Sequence, residues 1–306
     1  MTACCGNSNT EEVFEISRKN NIVVKKPSWI KSKAPGSQGY IETLKIVREH
    51  KLHTVCQEAM CPNIGECWSY KTATFMIMGD LCTRRCNFCS VKKGNSKTLM
   101  PLDPLEPKRV ALAARLMGLR HVVVTSVNRD DLSDNGAFHI AETANWINHL
   151  IPDAVVELLI PDLQGSLKDL ETIMRSSVKV LNHNLETVPS LYRKVRPFAD
   201  YRRSLQILRY SKLFKPSVKT KSGIMVGLGE KVSEVLSLMN DLRENDVDIL
   251  TIGQYLRPTN RQMPVKEWIR PELFEFYREE GVKRGFKHVE SGPLVRSSYH
   301  AWKHAS

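Results

Sequence analysis

From Thr72 onward, short apolar runs alternate with stretches whose apolar residues recur at helical spacing, a pattern that predicts strands joined by helices. The predicted strands are Ala73–Met78, His121–Val127, Val155–Ile160, Val178–His183, Ser222–Val226, Ile249–Gln254 and a last short one near Phe286–Val289. Predicted helices fall between them at Arg109–Met117, Ala137–Leu150, Ser166–Ser176, Ser204–Phe214, Lys231–Glu244 and Pro271–Arg284. In the first of these, Val110, Ala113, Ala114 and Met117 share one face, and Gly118 stands where a helix ends. Roughly six strand-then-helix units imply a parallel sheet with its helices outside, short of eightfold closure. The expected fold is α/β, a partial (β/α)6 barrel of the TIM type. Functional groups then belong at the C-terminal strand ends, where Thr125, Ser126, Asn128, Asn182, Asn184 and the run Gly227–Glu230 lie.

The segments around this barrel have a different character. Residues 1–25 are polar and mixed in charge and read as an arm, with Cys4 and Cys5 as uncoordinated thiols. Residues 26–71 form an N-terminal extension with a predicted helix over Tyr40–Glu49; residues 72–290 form the barrel, and 291–306 a C-terminal segment. A chain of 306 residues is long enough to bury a large core without disulfides. No apolar run approaches the roughly 20 residues a membrane crossing needs, and the first residues lack a secretory pattern. The expectation is a cytoplasmic protein with no membrane partner. With 45 basic and 33 acidic side chains the net charge is +12, which favours nucleic acid, phosphorylated ligands or an acidic protein without choosing among them.

Six of the eight cysteines fall between Cys56 and Cys89, as two triplets. Cys56, Cys61 and Cys67 read C-x4-C-x5-C; Cys82, Cys86 and Cys89 read C-x3-C-x2-C. Three thiolates hold three corners of a cubane iron–sulfur cluster and leave the fourth iron open to another ligand. Structural zinc prefers four ligands in close pairs, and no histidine lies between Leu81 and Arg120. Cysteines so crowded in one region of an otherwise cysteine-free barrel suit a reducing compartment better than a disulfide framework.

The C-x3-C-x2-C loop after the first barrel strand, with Phe88 just before its last cysteine, resembles that of the radical S-adenosylmethionine (SAM) superfamily. The resemblance implies that Cys82, Cys86 and Cys89 are catalytic, holding a 4Fe-4S cluster whose open iron binds SAM. One electron then yields a 5′-deoxyadenosyl radical that takes hydrogen from unactivated carbon. The first triplet resembles the auxiliary-cluster motif of the lipoyl synthase family. So does Arg296-Ser297-Ser298-Tyr299, whose second serine is in that family the fourth ligand of the auxiliary cluster; here that residue is Ser298.

The stretches Cys61–Trp68, Val124–Leu132, His183–Val188, Lys221–Glu230 and Leu250–Leu256 fit the same family. Two positions depart from it: Asn128 replaces an expected aspartate, and Asn135 stands where glycine is usual.

The resemblance implies a sulfurtransferase that inserts sulfur at C6 and C8 of a protein-bound octanoyl-lysine. The auxiliary 4Fe-4S cluster, held by Cys56, Cys61, Cys67 and Ser298, is then the sulfur donor and two SAM molecules are consumed. A serine oxygen is a harder ligand than a thiolate and suits an iron that must leave. Implied partners are octanoylated lipoyl domains of 2-oxoacid dehydrogenase E2 subunits and the glycine-cleavage carrier protein. An electron donor such as ferredoxin or flavodoxin and an iron–sulfur cluster carrier are also implied, but no nucleic acid.

Candidate SAM contacts, chosen for polarity near strand ends, are Thr125, Ser126, Asn128, Glu157, Asn182 and Arg196. Arg84 and Arg85 in the loop read as offsetting cluster charge, meeting the carrier domain, or simply solvated. The competing readings are a methylthiotransferase, which spreads its auxiliary cysteines over a separate domain, biotin synthase, which has no such N-terminal triplet, and a two-cluster electron carrier, which fills all four corners of each cluster.

Overall fold

The computed structural model describes residues 26–304 except Ser96; the predicted arm with Cys4 and Cys5 lies outside the described residues. The main sheet has eight strands in the order β1 (His53–Thr54), β2 (Thr74–Ile77), β5 (His121–Ser126), β6 (Val155–Leu159), β7 (Val180–Asn182), β8 (Lys219–Val226), β9 (Ile249–Gln254) and β10 (His288–Gly292). Only β1 runs antiparallel; every other pairing in this sheet is parallel. A second, two-stranded sheet pairs β3 (Leu81–Cys82) with β4 (Lys92–Lys93). Each strand from β2 to β9 in the main sheet is followed by at least one helix, as the alternation predicts, and β10 ends the array without meeting β1.

A parallel sheet packed on both faces needs strands that are apolar throughout. Every side chain of β2 and of β9 is accordingly buried. Around the sheet the helices turn one apolar stripe inward. On Ala137–Leu150 that stripe is Ala137, Ile140, Ala141, Ala144 and Ile147, at helical spacing. Each fully buried Ile or Leu of this kind contributes about 1.5–3 kcal/mol. Ser166 and Asp200 cap the helices Leu167–Met174 and Tyr201–Phe214 through their side-chain oxygens.

The helix Ala137–Leu150 and strand β9 match their sequence-based bounds, while several others differ by a few residues. Strand β8 begins at Lys219 rather than Ser222, because Lys221 is buried inside the barrel and not displayed on its surface. The last strand ends at Gly292 rather than Val289, paired in register with β9. Neither β1 nor the β3–β4 pair was predicted, each strand being only two residues long.

At Asn135 the backbone has φ 51°, the left-handed region that favours glycine. Asparagine tolerates it, and here its amide donates to Asp169 (2.7 Å) and accepts from Gln164 (2.7 Å). The departure from glycine is thus compensated by two side-chain hydrogen bonds.

Beyond β10 the chain turns back over β9 and joins the N-terminal extension. Asn63 donates to the Leu294 carbonyl (2.7 Å), and the Tyr299 hydroxyl donates to Glu66 (3.0 Å). The close crossing depends on Gly253, since a Cβ there would stand 2.0 Å from the Val295 oxygen.

Candidate functional site

One cavity of about 1360 Å³ runs from the C-terminal strand ends into the barrel. Cys56, Cys61, Cys67, Cys82, Cys86, Cys89 and Ser298 all line it, so residues far apart in sequence face a common space. None of the six thiols is in a disulfide.

Cys56 and Cys67 sit within two short helices, Val55–Glu58 and Ile64–Ser69, and Cys61 lies on the turn between them. Thr74, at the start of β2, connects it to the C-terminal segment. Its backbone N–H faces the Cys56 thiol, and its hydroxyl donates to Ser298 Oγ at 2.8 Å. Burial pushes Cys56 up to about 11, with the neighbouring Cys61 adding to the effect. It pushes Cys67 up to about 12, helped by Cys56 and Cys61. Such thiols keep their protons at neutral pH until a metal takes the proton's place.

In the second triplet, Cys82 ends β3, and Cys86 and Cys89 lie on the loop that runs from it to β4. The backbone N–H of Asn128 points at Cys82 Sγ (3.4 Å), and the Asn128 carbonyl accepts from Thr83. Asn128 therefore touches the loop through its backbone, which an aspartate would supply equally. Arg84 turns inward to Asp130 and Asp162, tying the loop to the ends of the next two strands. Arg85 is exposed. Burial also raises Cys86, against the pull of Arg196, and pushes Cys89 up to about 11.

Of the proposed SAM contacts, Thr125, Ser126, Asn128 and Arg196 line the cavity. Glu157 and Asn182 do not. Both are fully buried in a network in which Glu157 accepts from Asn182 (3.1 Å) and Lys221 (2.8 Å) and meets His121 Nε2 (3.0 Å). Thr125 already donates to the Leu159 carbonyl (3.0 Å). Arg196 donates through Nη1 to Asn184 O (2.8 Å) and the Tyr192 hydroxyl (3.0 Å), while its Nε has no partner among the described residues.

Sequence reasoning did not single out His183. Its Nδ1 lies 2.9 Å from the Ile160 carbonyl, which only accepts, so Nδ1 carries the proton. Burial, reinforced by Arg196, lowers the imidazole to about 4 and keeps it neutral. Its Nε2 is then a bare acceptor in a residue of the cavity wall. The signal available beforehand was its place directly after Asn182 at the end of a strand.

The donor set fits the groups that the resemblance implies. Ser126 Oγ, His183 Nε2, Asn184 Oδ1 and Arg196 Nε belong to residues of the cavity wall and find no partner among the described residues. Each such buried atom costs about 1–3 kcal/mol unless a ligand meets it. Together they offer donors and acceptors to a ligand with hydroxyl, amino and carboxylate groups, as SAM has. Among the described residues, no three His, Cys, Asp or Glu side chains stand as ligands of one shared metal ion. A cubane differs, because each thiolate binds a separate iron.

The open parallel barrel, the C-x3-C-x2-C loop at its first strand and the polar strand ends define a radical SAM protein, and the Radical SAM superfamily model matches residues 76–242. The crystal structure of methylornithine synthase shares the fold, with a TM-score of 0.54 at 16% identity, covering 73% of this chain and 72% of that one. Closer in sequence is the lipoyl synthase of Rubrobacter xylanophilus, 53% identical over 276 residues, which span 90% of this chain and 85% of the relative. That of Caldanaerobacter subterraneus is 53% identical over 280 residues, 92% of this chain and 97% of the relative. The chain belongs to the lipoyl synthase family and is a radical SAM sulfurtransferase. Among the described residues no helix is long and apolar enough to cross a membrane.

Proposed function

We propose that the two cysteine triplets divide the lipoyl synthase reaction between them. Cys82, Cys86 and Cys89 hold the cluster that binds SAM, while Cys56, Cys61, Cys67 and Ser298 hold the one that donates sulfur. When bound, the first would supply the deoxyadenosyl radical that takes a hydrogen atom from C6 and from C8 of the octanoyl chain, and the second the sulfur that enters there. The observation that carries the reading is Thr74, which links Cys56 and Ser298 in a cavity that both triplets line.

The chain's own residues bind, orient and exclude water. Ser126, His183, Asn184 and Arg196 meet the polar groups of SAM, with Asn128 and Thr125 beside them. Met76, Val123, Leu159, Ile224 and Val295 give the same cavity an apolar wall suited to an acyl chain. The C-terminal segment closes over β9 and keeps solvent from the radical. The substrates are octanoyl-lysines on lipoyl domains of 2-oxoacid dehydrogenase E2 subunits or on the glycine-cleavage carrier protein. Because the sulfur donor is consumed, an iron–sulfur carrier must rebuild it between turnovers.

Two triple variants test the division. With Cys56, Cys61 and Cys67 changed to Ala, the protein should hold about four iron atoms and still cleave SAM, yet insert no sulfur. With Cys82, Cys86 and Cys89 changed to Ala, it should hold a similar load and leave SAM intact. If the first variant still forms lipoyl product, the assignment of the sulfur donor is wrong.

A further inference from the structure

Cys86 and Cys89 line two spaces. One is the interior cavity; the other is a groove of about 350 Å³ on the outer side of the loop, whose wall includes Arg85, Lys93, Arg261 and Gln262. We infer that this groove is the docking site of the electron donor, an acidic one-electron carrier protein, and that Arg85, Lys93 and Arg261 recognise it. The inference rests on the reading that Cys82, Cys86 and Cys89 hold the SAM-binding cluster.

The groove is cationic, with no Asp or Glu among the described residues that line it. Arg85, Lys93 and Arg261 are exposed and belong to none of the ion pairs among the described residues. Neighbouring Arg84, by contrast, is committed inward to Asp130 and Asp162. Exposed Arg193 and Lys194 extend the basic face, because the Lys194 carbonyl accepts from Asn87 of the loop at 2.7 Å. Separate stretches of chain thus converge on one positive surface, which complements an acidic partner and steers its approach.

The loop between the two spaces is short and braced. Asn87 N donates to Val195 O (3.0 Å), Met263 N donates to Asn87 O (3.0 Å), and Gln262 reaches Cys89 O (3.4 Å). Phe88 packs with Val195, Tyr255 and Met263 beneath it. The cysteines themselves form the partition. An acyl arm offered from the groove meets this wall, so a substrate domain docked there could not deliver octanoyl to the interior. An electron needs no opening. A reduced carrier gives up one electron across the loop and leaves oxidised by one. The electron is consumed in cleaving the sulfonium carbon–sulfur bond of SAM to methionine and the deoxyadenosyl radical, with no proton transferred. Two sulfur insertions require two such visits.

The test uses the reconstituted full chain and photoreduced flavodoxin as probe, following reoxidation of the flavin by stopped flow. The bimolecular rate constant should fall as salt rises. In the double variant Arg85→Glu/Arg261→Glu it should drop on the order of 10- to 100-fold. Arg85→Lys/Arg261→Lys should keep the rate. So should Arg115→Glu, a charge reversal on an exposed position of the outer helix Glu106–Leu116. SAM cleavage driven by dithionite, which needs no docking, should match wild type in all three variants, and so should iron content.

A wild-type rate of flavodoxin oxidation in the Glu variant would overturn the inference. So would a raised KM for the octanoyl domain under dithionite without a change in the flavin rate, since the groove would then serve the substrate. Failure of dithionite-driven cleavage in the wild-type protein would instead overturn the cluster reading and the docking inference with it.

Discussion

Changing Gly253 to alanine is expected to leave SAM cleavage in place and to cut sulfur insertion on the order of 100-fold. Gly253 lies on β9 beneath the returning C-terminal segment, where an added Cβ would stand 2.0 Å from the Val295 oxygen, 3.0 Å from its carbonyl carbon and 3.2 Å from an Arg296 nitrogen. The first two are backbone atoms, so no rotamer change relieves the clash; the segment itself must lift. Ser298 follows shortly after, and displacing it breaks its contact with Thr74. The second triplet stands on a different loop and is untouched.

Gly292 provides the control. It is paired in register with Gly253, yet its added Cβ would meet only a Val295 methyl at 3.4 Å, an ordinary contact. Gly292→Ala should therefore insert sulfur almost normally. Counting deoxyadenosine and lipoyl product for both variants decides the matter. Wild-type insertion by Gly253→Ala would show that the segment's seat does not matter to sulfur transfer.

The second large effect concerns stability. Lys221→Met should destabilise the fold by about 3–5 kcal/mol, because it leaves Glu157 charged and buried without its main partner. Burial alone would raise the Glu157 carboxyl, but Lys221 and His121 outweigh burial and hold it at about 2. Its ionised form thus contributes stability that is fully present above about 4.5 and is lost as pH falls from there through about 2. Urea unfolding at neutral pH measures the loss, and the double variant Lys221→Met/Glu157→Gln should recover part of it. If the single variant is as stable as wild type, the pair is not what holds this part of the barrel interior.

How much of this was legible in the sequence depended on distance along the chain. Helices and strands with strong local signals, such as Ala137–Leu150 and Ile249–Gln254, were found because their periodicity and bounds are local properties. The triplets were legible for the same reason, as spacings within a few residues. Lys221 was not. A lysine near a strand end reads as surface, and the carboxylate that allows its burial lies 64 positions away. That same network withdraws Glu157 and Asn182 from the cavity, although polarity at a strand end marked them as contacts. Ser298 was found only through a family motif, since its partner Thr74 is 224 positions distant and no local pattern joins them. His183 needed the structure too, because the Ile160 carbonyl decides which nitrogen faces the cavity.

The most direct test of the whole account is a single anaerobic turnover of the reconstituted protein with dithionite, SAM and an octanoyl-lysine lipoyl-domain peptide, the peptide then being weighed by mass spectrometry. The account predicts a mass gain equal to two sulfurs replacing two hydrogens, with two deoxyadenosines formed for each product. SAM cleavage with a full iron load and a peptide of unchanged mass would contradict it.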